Sequence, residues 1–314
     1  MYNKNLLKIY ITLITLVVSI TTIDAALSPS TGLNGSFPAT FPELDKVPPS
    51  VAAWTAMVDK SKYPNIPPNS VGYSCTPGTV DTYCSFVCTS CSRPETDITY
   101  CPKLKDHLKK NNQKATFFVI GSRVFQNPEI LQRTVDEGHQ VCVHTWSHTP
   151  LTTQTDEQII AEMKWTELAI QKAVNLTPRC MRPPTGDIDD RVRGIVKQLG
   201  YKVILWNHDT FDWKSASNTT IPPYDLNWIP QNFTLWAKNQ SATTGVISLE
   251  HDLYATSASK APEAMDIVKA NGFTALQVSN CSKSSAETRF AFNALTIFSS
   301  IAFAMVTGSI IMFT

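Results

Sequence analysis

The chain has 314 residues, 43% of them hydrophobic and 17% charged, enough to bury a sizeable core and unlike the composition of a disordered segment. Lys and Arg number 27 against 26 Asp and Glu, and a net charge of +1 argues against a nucleic-acid binder that relies on a broad positive field. Eight cysteines in this length exclude a small disulfide scaffold but suit a secreted domain.

Taken in chain order, the first segment is basic at Lys4 and Lys8, uncharged from Ile9 to Ile23, and small at Ala25 and Ala26. This pattern reads as a secretory signal peptide over residues 1–25, with an uncleaved membrane anchor as the other reading. Residues 26–74 form a lead-in. Its Pro- and Ser-rich part, with Trp54 and Tyr63 interspersed, is expected to be extended, with little regular structure, and able to pack on the main domain. Cys75, Cys84, Cys88, Cys91 and Cys101 follow closely. The spacing of Cys84, Cys88 and Cys91 fits a zinc knuckle less well than disulfides, because no His sits among them; the pairing does not follow from the sequence.

From Lys103 the pattern alternates between helix and strand. A helix is predicted around Leu104 to Leu108 and a buried strand over Ala115 to Ile120. Asn127-Pro128 opens a helix to about Glu137, and Gln140 to Val143 is the next strand. Thr155 and Gln158 form a capping box for a helix to about Val174. Further strands are predicted at Arg179 to Met181, Lys202 to Trp206, Val246 to Leu249 and Thr274 to Val278, with helices over Asp189 to Leu199 and Ser259 to Ala270. Alternation of this kind predicts an α/β domain over residues 75–280 with a mostly parallel sheet, its active groups at the strand C-terminal ends. The last segment, 281–314, has small residues around Ser284, a short polar spacer and an uncharged tail from Phe290 to Thr314. It reads as a GPI-attachment signal, with Ser284 as the attachment residue and a tail anchor as the alternative. Six N-x-[ST] sequons, at Asn34, Asn175, Asn218, Asn232, Asn239 and Asn280, fit the secretory route and are expected glycosylation sites. The expected location is the outer face of the plasma membrane or the cell wall.

Four segments at predicted strand ends carry chemistry. H-T-W-S-H offers His144 and His148, two imidazoles able to share one metal if the segment is helical or tightly turned. R-P-P-T-G-D, from Arg182, fixes a rigid loop beside a guanidinium. D-T-F-D-W, from Asp209 to Trp213, supplies two carboxylates and an indole. S-L-E-H-D, from Ser248 to Asp252, presents His251. Singly, each reads equally as an ordinary turn or a satisfied polar residue; together they form a constellation.

With A-T-F-F-V-I-G-S-R, from Ala115 to Arg123, these segments occur in the order found in polysaccharide deacetylases, carbohydrate esterase family four, and the chain resembles the fungal chitin deacetylases among them over about Cys75 to Val278. The resemblance implies a distorted (β/α) barrel and metal-dependent hydrolysis of N-acetyl groups from chitin or chitin oligomers, with zinc or cobalt as cofactor. It implies His144 and His148 as metal ligands, His251 as general acid and Asp209 as the carboxylate that orients His251. By the same resemblance Arg182 is expected to support the base, Thr185 to supply a backbone donor to the oxyanion, and Trp213 and Leu249 to line the acetyl pocket. The expected partners are chitin and, through the lipid anchor, the membrane, with no nucleic acid.

One part of the family pattern is absent. Its first motif, T-F-D-D-G-P or close to it, carries the base and a third metal ligand, yet Thr99 to Lys110 reads T-Y-C-P-K-L-K-D-H-L-K-K. Asp97 and Asp106 are nearby, but neither follows an apolar strand. The barrel is therefore expected to lack its first strand, and the metal a ligand. A skipped exon, a non-catalytic chitin-binding relative, or replacement by Asp106 or another carboxylate would each account for the gap. A structural mannoprotein, the third functional class, would need none of the four segments.

Overall fold

The computed structural model describes residues 40–70, 113–216, 224–239, 247–252, 255–273 and 277. The expected signal peptide, the crowded cysteines from Cys75 to Cys101, the helix around Leu104, most of the strand from Thr274 and the C-terminal tail lie outside the described residues. Among the described residues no helix is long and apolar enough to cross a membrane.

The described core is α/β, with parallel strands. β1 (Thr116–Val119), β2 (Gln140–Val143), β3 (Cys180–Met181) and β4 (Lys202–Val203) form one sheet in that order, all neighbours parallel. β1 and β2 run in register from Thr116 opposite Gln140 to Val119 opposite Val143. Their unbroken apolar runs are those of strands covered on both faces. The strand predicted from Lys202 to Trp206 stops at Val203, and a separate parallel pair, β5 (His208–Asp209) with β6 (Ser248–Leu249), takes over. At the entrance to this pair a side chain supplies one bond, the Asn207 side-chain oxygen accepting from the Ile247 N–H at 2.8 Å.

The helices follow the capping chemistry. α1 (Ala52–Thr55) lies in the lead-in. α2 (Gly121–Gln126) and α3 (Pro128–Asp136) follow β1, and Pro128 stands at the first helical position of α3. α4 (Asp156–Val174) begins at Thr155, whose hydroxyl accepts from the Gln158 N–H while Gln158 Oε1 accepts from the Thr155 N–H at 2.9 Å. α5 (Asp190–Gln198) is capped by Asp189. α6 (Trp228–Asn239), the short α7 (Ala255–Ala258) and α8 (Ala261–Ala270) complete the described set, with α6 and α8 sharing Ile229, Phe233, Ala264 and Val268 in one cluster.

α4 is buried on every face, including Glu162, Lys164, Thr166 and Glu167. A helix buried all round needs cover on both sides, and residues 40–70 provide the outer cover. Trp54 meets Trp165 edge-on at 5.2 Å, and the Trp165 indole N–H donates to the Pro49 carbonyl at 3.0 Å. Phe41 stacks on Trp146 at 5.8 Å, and the Trp146 indole donates to the Glu43 carbonyl at 3.0 Å. Over its described residues, 40–70, the lead-in is a strap with regular structure only at α1 and in one turn at Lys60–Lys62.

The Cys142 and Cys180 sulfurs form a disulfide between β2 and β3, a pairing the sequence left open. Of the six sequons, Asn175 is exposed at the left-handed C-terminal cap of α4, Asn232 is half-buried on α6 and Asn239 is exposed at its end. Asn34, Asn218, Asn280 and Ser284 lie outside the described residues.

Candidate active site

The functional segments sit where the parallel strands end. β2 finishes at Val143, and the His144 N–H donates to the Val119 carbonyl at 2.9 Å, so the imidazole leaves the sheet at a defined point. Its Nδ1 lies 2.6 Å from the Arg182 carbonyl oxygen. A carbonyl only accepts, so Nδ1 carries the proton and the Nε2 lone pair is left for a ligand. The His148 ring lies 4.8 Å from that of His144, at 75° to it. The turn that brings them together uses left-handed backbone at Thr145 (φ 64°) and His148 (φ 64°).

Glu162 of α4 fixes that turn. One carboxylate oxygen accepts from the Trp146 N–H at 2.7 Å and the Ser147 N–H at 2.9 Å, and the other accepts from the Ser147 hydroxyl at 2.5 Å. No motif marks this residue, and mid-helix glutamates are ordinarily exposed; only the all-round burial of α4 gives it away. Burial pushes its carboxyl pKa up, against the pull of those donors.

Burial also pulls the imidazole pKa of His144 well below its ordinary value, and that of His148 below, with the Arg182 charge adding to both. Both shifts favour the neutral imidazole, the form a metal ligand must take. The donor set fits two of the three protein positions that a catalytic zinc site generally has. Among the described residues no group of three or more His, Cys, Asp or Glu gathers to hold an ion.

Arg182 is buried beneath this pair, its guanidinium 4.7 Å over the Phe118 ring. Burial pulls its pKa down to about 10, while Asp252, Asp212 and Asp209 hold it charged. The following turn, Pro184–Gly186, places Thr185 in the left-handed region (φ 55°), exposed, with its hydroxyl donating to the Pro184 carbonyl at 2.7 Å. Asp187 anchors the turn, accepting from the Thr152 N–H at 2.7 Å and its hydroxyl at 2.8 Å.

His251 is held by two bonds to one carboxylate. Its N–H donates to Asp212 Oδ2 at 2.6 Å, and its Nδ1 lies 2.7 Å from Asp212 Oδ1. The partner of His251 is therefore Asp212, and the expectation of Asp209 is corrected. Asp209 closes its own turn instead: its Oδ1 accepts from the Phe211 N–H at 2.7 Å, a local arrangement to which Asp is prone. Asp209 stays close enough for the His251 charge to act on it, and burial pushes its carboxyl pKa up. Leu249 is buried and pairs with Asp209 across β5 and β6, whereas Trp213 stands 47% exposed at the rim. His144, His148 and His251 lie within electrostatic reach of one another, and Asp252, unmarked in the sequence reading, acts on Arg182. The structure thus gathers a neutral histidine pair, a buried guanidinium and a carboxylate-held imidazole.

Residues 95–204 match the family model described as polysaccharide deacetylase. The chain is 38% identical over 249 residues to chitin deacetylase 1 of Cryptococcus neoformans var. grubii, covering 69% of this chain and 52% of that protein. It is 40% identical over 184 residues to chitin deacetylase 2 of Saccharomyces cerevisiae, covering 54% of this chain and 56% of that one. It spans about half the length of these curated relatives. Among solved structures, the peptidoglycan deacetylase PdaC from Bacillus subtilis superposes with a TM-score of 0.50 at 34% identity, covering 59% of this chain and 83% of that one.

Proposed function

The chain belongs to the polysaccharide deacetylase family, and from that membership we propose that it acts on chitin, removing N-acetyl groups by hydrolysis. The observation that carries this reading is the His251–Asp212 pair within electrostatic reach of the packed imidazoles of His144 and His148. Deacetylases of this family are metal-dependent in general; here His144 and His148 would hold the ion, with zinc or cobalt as the candidates. Such an ion, when bound, polarises the amide carbonyl and lowers the pKa of water.

The protein's own residues do the rest. Nδ1 of His251 is held by Asp212, which directs Nε2 to the substrate, where it protonates the departing amine. An imidazolium formed there is stabilised by the carboxylate beneath it, as in hydrolytic triads. Arg182 keeps a positive charge below the histidine pair, and Leu249 with Trp213 offers apolar surface to the acetyl methyl. The turn at Thr185 offers a backbone donor for the developing oxyanion.

A second reading is a chitin-binding protein without turnover. The missing D-D motif favours it. Acetate release from chitin oligomers separates the two, measured on the folded chain with zinc and with a chelator. Zinc-dependent release supports the enzyme; binding of oligomers without release leaves the binder. We place the protein at the cell surface through a lipid anchor at Ser284, on the sequence pattern alone, and expect a phosphatidylinositol-specific phospholipase to free it from membranes.

A further inference from the structure

Phe211 stands next to Asp212, the partner of His251, in a strained conformation. Its φ is 56°, in the left-handed region, which a bulky aromatic residue adopts only under constraint. The residue is 45% exposed, so only part of its apolar surface is buried to compensate the strain. Asn would meet the same backbone geometry more easily. The constraint comes from its neighbours: Asp209 accepts the Phe211 N–H, the Phe211 carbonyl accepts from the Lys214 N–H at 3.0 Å, and Asp212 is tied to His251. The Lys214 ammonium lies 4.6 Å from the Phe211 ring centroid and 5.4 Å from that of Trp213. Two exposed aromatic rings thus converge on one cation beside the candidate general acid. Strained residues cluster at ligand sites, and exposed apolar surface rimmed by polar groups marks a binding surface.

We propose that Phe211 is a stacking platform for an N-acetylglucosamine unit next to the one whose acetyl group faces His251, with the Lys214 ammonium donating to that sugar's hydroxyls. The ligand class follows from shape and polarity. A β-linked pyranose carries its axial C–H bonds on its faces and its hydroxyls around the edge, which matches a flat apolar ring beside a cationic donor. Phe211 touches no reacting atom in this role; it selects extended glycans over single sugars. The inference rests on the chitin reading above.

The test compares the wild-type chain with Phe211→Asn and Phe211→Trp, measuring chitin-oligomer affinity by calorimetry and the melting midpoint by circular dichroism. Phe211→Asn is expected to weaken oligomer binding about tenfold, with the midpoint unchanged or raised, because the strain is relieved. Phe211→Trp is expected to keep the affinity. Unchanged binding by Phe211→Asn overturns the platform and leaves the chitin reading standing. A fall in the melting midpoint on Phe211→Asn that accounts for the lost binding also overturns it, since Phe211 would then be structural. Failure of the wild type to bind oligomers overturns the chitin reading and the platform together.

Discussion

Two hydrogen bonds join His251 to Asp212, and they divide the labour between the two aspartates of D-T-F-D-W. Replacing Asp212 with Asn removes the charge under the imidazole and puts an amide donor in competition for Nδ1, so the ring is no longer fixed in its productive tautomer. Zinc-supported acetate release should fall by on the order of 10² to 10⁴. Asp209→Asn should cost less, because an amide oxygen still accepts the Phe211 N–H; a larger loss at Asp209 than at Asp212, in initial rates, would reverse the assignment. Glu162 gives a pH test. Its folded pKa is raised above the ordinary 4.5, so in the window just above that value the folded state holds more protons than the unfolded one. Stability contributed by this group is full below 4.5 and is lost as pH rises through the folded pKa. Denaturant titrations of the wild type and Glu162→Gln across that window should show the wild type losing ground to the variant as pH rises. A gap independent of pH would place the proton elsewhere.

The strap packs on both α4 and α5, and its contact with α5 is tight at one point. A Cβ on Gly194 of α5 would lie 2.3 Å from Tyr63 Cβ, closer than any real contact allows. Tyr63 also donates its hydroxyl to Asp156 at 2.9 Å, at the start of α4. Gly194→Ala should therefore lift the strap and cost about 1–3 kcal/mol, read as a lower melting midpoint and as early proteolytic cleavage within residues 40–70. Cleavage no faster than in the wild type would show that the strap is held elsewhere. Elements with a local code were the legible ones: β1 and β2 from their apolar runs, α3 from Asn127-Pro128, and α4 from its capping box. α6 was not anticipated, since Pro230 falls early in it and its apolar face is settled by α8, distant in the chain. The four chemical segments were legible from residue type and order. The choice of Asp212 over Asp209 was not, because both follow a strand end and only the turn between them decides which side chain is spent on its own backbone. Glu162 was invisible for a similar reason: a mid-helix glutamate is ordinarily exposed, and this one is buried against the Trp146–Ser147 turn, distant from it in the chain.

At the scale of the whole molecule, the disulfide lies directly under the site. Cys142 precedes His144 by two residues and Cys180 precedes Arg182 by two, on neighbouring parallel strands. The covalent tie and the His144–Arg182 hydrogen bond therefore belong to the same pair of strand ends, joined again by the Arg182 N–H donating to Val143 at 3.0 Å. β3 is only two residues long, so few ladder bonds hold it in place and the cross-link carries much of its alignment. Both cysteines are buried, with Ile204 and Ile247 packed against them. The sulfurs lie 38 residues apart in the chain, and freeing a loop of that length in the unfolded state should cost about 2–4 kcal/mol. The double variant Cys142→Ala with Cys180→Ala should thus unfold at a lower denaturant midpoint. It should also show a steeper slope, because the unlinked unfolded chain exposes more surface. If the tie also aligns the site, the double variant should bind chitin oligomers more weakly under conditions where it is still folded. Full affinity in a folded but less stable variant would confine the disulfide to stability, and the alignment of His144 on Arg182 would then rest on the sheet alone.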